Sequence, residues 1–166
     1  VIIATLNEEK DIEHLLKSIK KQTMKNYEIL IVDGGSSDRT VEIARKYTKN
    51  VFVLPKIGVA RSKNYAIKKA KGRIIQFFDA DNFLTDTKYM SNVVRLFKKY
   101  GIDALAVKIA PEKSSSLLVR AQAAYRKTRW EHRQKSIVFG VDPRDITFSC
   151  FRRDFLMKIG GFNEKM

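Results

Sequence analysis

The stretch Gly72 to Thr85, GRIIQFFDADNFLT, constrains this chain more than any other. Ile74, Ile75, Phe77 and Phe78 form a short apolar run interrupted only by Gln76, the pattern of a strand buried in a parallel sheet. Asp79 and Asp81 follow at once. Open α/β sheets place ligand chemistry just beyond the carboxyl ends of their strands. Two carboxylates one residue apart repel each other unless a positive charge sits between or in front of them. A hard divalent cation does this, taking one or two carboxylates and completing its shell with substrate phosphates. A solvated acidic turn would carry the same triplet, so the surrounding chain has to decide.

The preceding residues read as two strand–helix units and a third. Val1 to Thr5 is a β-type run that leaves through Leu6-Asn7-Glu8-Glu9 into a helix reaching about Gln22, with Ile12, Leu15, Leu16 and Ile19 at helical spacing. Tyr27 to Val32 is a second apolar strand, ending in the polar turn Asp33-Gly34-Gly35-Ser36-Ser37-Asp38. Asp38 or Ser37 can cap the next helix, whose inward candidates are Val41, Ile43, Ala44 and Tyr47. Val51 to Leu54 is a third strand closed by Pro55, and Val59 to Ala70 a helix expected to stop at Gly72 in the C′ manner. After the central strand, a helix from about Asp86 to Tyr100 turns Met90, Val93, Val94 and Phe97 inward, with Gly101 behind it. Ala104 to Ile109 is a fifth strand, broken by Pro111.

Such alternation predicts right-handed βαβ crossovers and a single α/β domain: a Rossmann-like, mostly parallel sheet flanked by helices. In a parallel sheet the turns after the strands share one edge. Asn7-Glu8, Asp33 and Asp79-Asp81 are therefore expected to face one crevice.

Charge narrows the partners. The chain has 33 Lys and Arg against 18 Asp and Glu, a net charge of +15. That excess favours an anionic partner: nucleic acid, an anionic membrane surface or a phosphorylated small molecule. The single Cys150 excludes an internal disulfide framework and fits a reducing, cytoplasmic compartment. No apolar run approaches the ~20 residues of a membrane-spanning helix. The chain opens on Val1 and stops after Lys165-Met166, so residues are expected on both sides.

The second half has another character. Ser114 to Lys135 is a long helical candidate with a basic face (Arg120, Arg126, Lys127, Arg129, Arg133, Lys135), an apolar stripe (Leu117, Leu118, Ala121, Tyr125) and the only tryptophan, Trp130. It reads either as a packed helix with a solvated basic side or as an amphipathic helix at an anionic membrane face. Ile146 to Phe151 reads as a strand, and Arg152 to Met157 as a short helix ended by Gly160-Gly161.

Five segments together resemble the family 2 nucleotide-sugar glycosyltransferases of the GT-A fold. They are VIIATLNEE from Val1 to Glu9, IVDGGSSDRT from Ile31 to Thr40, Lys63-Asn64 with Ala70-Lys71-Gly72, Asp79-Ala80-Asp81, and Phe151-Arg152-Arg153 with IGGFNE from Ile159 to Glu164. Ala4, Leu6, Gly34 and Lys63 depart from the commonest residues of that pattern. The resemblance implies a nucleotide-binding part at residues 1–110 and an acceptor-side part at 111–166. It implies that Thr5, Asn7 and Glu8 line the base and ribose pocket. Asp33 would accept an N–H from uracil or guanine, leaving UDP- and GDP-linked donors both open. Asp79 would hold the ribose or a metal-bound water. Asp81 would coordinate Mn²⁺ or Mg²⁺ at the diphosphate, with Ala80 between them. Arg61 and Lys63 could approach the diphosphate or lie on a solvated helix face, with Asn64 next to them. It further implies inversion at the anomeric carbon, a glycan or lipid-linked acceptor, and a general base beyond Met166.

Three other readings compete. A phosphatase of the haloacid dehalogenase type also carries Asp-X-Asp, but on the first strand and with Thr or Val where this chain has Phe83. A basic nucleic-acid-binding module fits the charge, yet no recognition-helix or RNA-binding signature accompanies it. A non-catalytic domain that keeps the nucleotide pocket would satisfy the same motifs.

Overall fold

The computed structural model describes residues 1–106 and 149–165. Six strands form one sheet: β1 (Ile2–Thr5), β2 (Leu30–Asp33), β3 (Val51–Val53), β4 (Ile74–Phe78), β5 (Ala104–Ala106) and β6 (Ser149–Arg152). Their order is β3-β2-β1-β4-β6-β5. The first four are parallel, as expected, while β6 runs antiparallel between β4 and β5. The helices among the described residues are α1 (Ile12–Lys20), α2 (Thr40–Arg45), α3 (Gly58–Lys69), α4 (Tyr89–Tyr100) and α5 (Arg153–Lys158).

Strand alternation splits the core in two. Ile3, Ile31 and Phe78 face a layer built from Ile12, Leu15, Leu16 and Ile19 of α1, Ala44 of α2 and Met90 of α4. Ile2, Leu30, Val32, Ile75 and Phe77 face Ala66 and Ile67 of α3 and Leu156 of α5. Neighbouring residues of one strand thus serve opposite layers, the period-2 logic of a strand covered on both sides. Gln76 fits this frame although it is polar. Its Oε1 accepts the Tyr89 hydroxyl at 3.0 Å and the Cys150 thiol, so β4, α4 and β6 share one buried polar knot.

Two sequence expectations shift. Helix α3 is not ended by a left-handed Gly72: Ala70 already leaves the helix extended, at ψ 138°. The Glu28 carboxylate instead takes the backbone N–H groups of Lys71 and Gly72 at 2.6 and 2.8 Å, a long-range cap invisible to local reading. Helix α4 begins at Tyr89 rather than Asp86, because the Asp86 side chain accepts the Lys88 N–H in a turn. The basic helix expected at 114–135, and the outer parts of the strands expected at 104–109 and 146–151, lie outside the described residues.

Cys150 has no solvent exposure, and burial pushes its thiol up to about 12. Only the thiolate alkylates, so native Cys150 is expected to resist iodoacetamide at pH 8 and to react fully in guanidinium. Rapid stoichiometric labelling of the native protein, followed by mass spectrometry, would contradict this burial.

Candidate active site

The strand order reverses at β1: the chain steps outward through β2 and β3, then returns across to β4 on the other side. The crevice beyond the carboxyl ends of β1 and β4 is the switch point where open α/β sheets take their ligands. Glu8 follows β1 there, and Asp79 and Asp81 follow β4.

These acids feel one another. The Glu8 carboxyl lies above its usual range through burial first, then through the charges of Asp81, Asp11, Asp38 and Asp79. Asp79 is half-buried and raised by burial; Lys63 opposes that shift and Asp81 adds to it. Ala80 between them is 3% exposed and packs into the α1 layer, which turns its neighbours outward and leaves Asp81 exposed. Asn82 closes the turn: its side chain accepts the Asp79 N–H at 3.1 Å and its own N–H returns to the Asp79 carbonyl at 3.2 Å.

The donor set is carboxylate oxygen, short of positive charge, and fits a hard ion such as Mn²⁺ or Mg²⁺. Among the described residues no three acidic, His or Cys side chains already form a site of their own. A magnesium-like ion that keeps its waters and takes substrate phosphate oxygens needs only one or two of them.

Lys63 is the facing cation. Its Nζ lies 5.6 Å from the Phe77 ring centroid and 5.7 Å from that of Phe162. Burial lowers its ammonium, and the Asp79 charge opposes that lowering. Arg61 does not join it in the crevice; it is exposed and pairs with Glu164 at 3.4 Å.

Two residues expected at the nucleotide are occupied within the protein. Asp33 is fully buried. Its Oδ1 accepts the N–H groups of Gly35 and Ser36 at 2.9 and 2.7 Å; its Oδ2 accepts the Thr5 hydroxyl at 3.1 Å and the Ser36 hydroxyl. A carboxylate offers about four lone-pair sites, and all are taken. Thr5 and Asp33 are register partners at the ends of β1 and β2, which is why their side chains meet. Asn64 is 7% exposed and spends its carboxamide on the loop after α5.

Asn7 adopts φ 56°, a left-handed conformation that Asn tolerates better than most residues. Its N–H donates to Ser36 Oγ at 2.8 Å and its Oδ1 accepts the Ser37 N–H at 2.9 Å. The Glu8 N–H reaches Thr40 Oγ1 at 2.7 Å, and the Glu9 N–H reaches Asp38 Oδ2 at 3.1 Å. Neither Ser37 nor Asp38 caps α2 as expected, because the N-cap position is Arg39; Asp38, one residue earlier, accepts the Thr40 N–H at 3.0 Å. Ser36, Ser37, Asp38 and Thr40 therefore buckle the loop after β1 to the loop after β2. Sequence reading placed Ser36 to Asp38 as a turn with a helix cap and not as a link to the loop after β1; the run of hydroxyl and acid side chains opposite Asn7-Glu8-Glu9 was the available signal.

Known proteins resemble this chain in sequence and in fold. The sequence model of Glycosyl transferase family 2 matches residues 1–160. The UDP-Glc:alpha-D-GlcNAc-diphosphoundecaprenol beta-1,3-glucosyltransferase WfaP of Escherichia coli is 36% identical over 97 residues, 56% of this chain and 39% of that protein. The beta-monoglucosyldiacylglycerol synthase of Trichormus variabilis is 28% identical over 178 residues, 99% of this chain and 38% of that protein. Among solved structures, mannosyltransferase PcManGT from Pyrobaculum calidifontis in complex with GDP-Man and Mn²⁺ has a TM-score of 0.75 at 23% identity, over 99% of this chain and 47% of that one. TarS 1–349 of S. aureus in complex with UDP gives 0.74 at 22%, over 99% and 49%. This chain thus spans less than half of each of these proteins. The structural likeness establishes the GT-A fold, and the family match extends over nearly all of the sequence: the chain belongs to glycosyl transferase family 2.

Proposed function

We propose that this chain carries the donor site of a metal-dependent, inverting glycosyltransferase that moves a sugar from a UDP- or GDP-linked donor to a glycan or lipid-linked acceptor. The observation that carries the reading is the placement of Glu8 after β1 and of Asp79 and Asp81 after β4, at the switch point of the strand order. The mannosyltransferase bound to GDP-Man and Mn²⁺ and the TarS bound to UDP support the donor class, and the diphosphoundecaprenol-directed relative supports a lipid-linked acceptor.

In this reading residues 1–110 hold the donor and 111–166 belong to the acceptor side. Asp81, with Asp79, would hold Mn²⁺ or Mg²⁺, which when bound neutralises charge on the leaving diphosphate. Lys63 would add a charge-assisted contact to the same phosphates. Thr5, Asn7 and Glu8 would border the ribose. Asp33 acts by shaping the Gly35–Ser36 turn against which the base lies. Glu164 is committed to Asn64 and Arg61, so the general base is sought beyond Met166. A net charge of +15 supports attachment of the segment from Arg120 to Lys135 to an anionic cytoplasmic membrane face. No helix among the described residues is long and apolar enough to cross a membrane.

Calorimetry with UDP and GDP, each in Mn²⁺, Mg²⁺ and EDTA, tests the site. One nucleotide is expected to bind about 10–100-fold tighter with metal, roughly 1.4–2.7 kcal/mol. Asp81→Asn is expected to remove that gain and leave the EDTA affinity unchanged. Equal affinity in EDTA ends the metal role, and failure of both nucleotides to bind ends the donor reading.

A further inference from the structure

The loop after α5 is held to α3 chiefly by one buried carboxamide, beside an exposed Arg61–Glu164 ion pair at 3.4 Å. Asn64 Nδ2 donates to the Phe162 carbonyl at 2.9 Å and to Glu164 Oε1 at 2.8 Å, and Asn64 Oδ1 accepts the Phe162 N–H at 2.8 Å. The side chain thus mimics a strand partner for Phe162 across 98 residues of sequence. Gly161 is built to admit it: a Cβ there would lie 2.3 Å from Asn64 Oδ1. Docking in this way sets the Phe162 ring edge-on to Phe77, with centroids 5.3 Å apart and planes at 82°. The ammonium of Lys63, one residue before Asn64, lies over both rings.

We propose that Asn64 is a positioning residue of the donor site: it latches the loop after α5 onto α3, and through Phe162 it holds the Lys63 ammonium against the Phe77 ring. Three hydrogen bonds converge on one 7%-exposed side chain, so its removal takes away most of the polar contacts that seat the loop. When seated, the Phe77 and Phe162 rings border the Lys63 ammonium, attract its charge and shield it from water. When released, Lys63 loses the Phe162 ring and gains the freedom of an ordinary exposed lysine, so its charge is no longer fixed beside the crevice. The donor site of the reading above is then complete only while the chain past α5 is docked, which couples the acceptor-side residues to the nucleotide pocket.

Two readouts on the folded protein test the latch. The first is the acylation rate of Lys63 relative to the exposed Lys17, followed by peptide mass spectrometry. The second, which rests on the donor reading, is the affinity for UDP and GDP with Mn²⁺. Asn64→Ala is expected to raise the Lys63/Lys17 ratio about tenfold and to weaken metal-dependent binding by about the same factor, the scale of one lost hydrogen bond. Phe162→Leu keeps the backbone bonds to Asn64 and removes the ring, so it is expected to raise the labelling ratio similarly even if Asn64→Ala does not fold. An unchanged ratio in a folded Asn64→Ala or Phe162→Leu protein overturns the latch. A wild-type protein that binds neither nucleotide overturns the donor reading instead, and the labelling ratio still decides the latch.

Discussion

Asp33→Ala is expected to destabilise the protein by about 2–4 kcal/mol, since unsatisfied buried donors cost about 1–3 kcal/mol each and part of this turn can admit water. The side chain is fully buried and serves four donors from Thr5, Gly35 and Ser36. Its removal opens the ends of β1 and β2 together, because Thr5 and Asp33 are register partners. Asp33→Asn separates this role from base recognition. The amide keeps one oxygen for the Gly35 and Ser36 N–H groups, while the Thr5 and Ser36 hydroxyls can rotate and accept from its NH₂. That variant is expected to lose only about 1 kcal/mol, a typical net hydrogen bond, and to retain nucleotide affinity. Denaturant titration beside calorimetry distinguishes the roles. A stable Asp33→Asn protein that no longer binds UDP or GDP would return Asp33 to direct contact with the base.

Gly161→Ala is expected to cost about 3–5 kcal/mol, combining ~1–2 for a left-handed non-glycine residue with the overpacking of a filled site. Gly161 has φ +77°, and its added Cβ would strike Asn64 Oδ1 at 2.3 Å. Gly160 is the internal control. Its φ is +82° but a Cβ meets nothing within 4 Å, so Gly160→Ala carries only the conformational strain of about 1–2 kcal/mol. Asn64→Ala removes the atom that the new Cβ would strike. In the Asn64→Ala background, replacing Gly161 is therefore expected to cost about 1–2 kcal/mol, with the difference from the single variant appearing as coupling energy. Equal costs at 160 and 161, measured by urea unfolding, would show that the carboxamide does not occupy the space in front of Gly161.

Much of the first hundred residues was legible because their signals are local. The apolar run of β4 with acids at its end, the α1 stripe of Ile12, Leu15, Leu16 and Ile19, and the repeated strand–helix alternation each depend on neighbours within a turn or two. Parallel pairing then sends the ends of β1, β2 and β4 to one edge without further information. Gln76 marked the limit of that reasoning. It looked like an interruption of an apolar run, and only the arrival of Cys150 and Tyr89 makes it a satisfied buried group.

Among the described residues, then, the sequence by itself determined which segments are strands and helices, which faces they bury, and that acids stand where parallel strands end, since periodicity and strand termini are properties of contiguous residues. Tertiary structure decided which of those acids are free. Asp33 and Asp81 look alike in sequence, each beside a glycine or alanine at a strand end. Thr5 and the Ser36 turn consume every lone pair of Asp33, whereas the buried Ala80 pushes Asp81 out into the crevice. Asn64 reads as one polar position on a helix, yet its valences are filled by Phe162 and Glu164, 98 and 100 residues away. A side chain's hydrogen-bonding capacity is small and is spent on whatever the fold brings within about 3 Å. Residue type states that capacity, and the packing of distant segments settles what remains of it for a ligand.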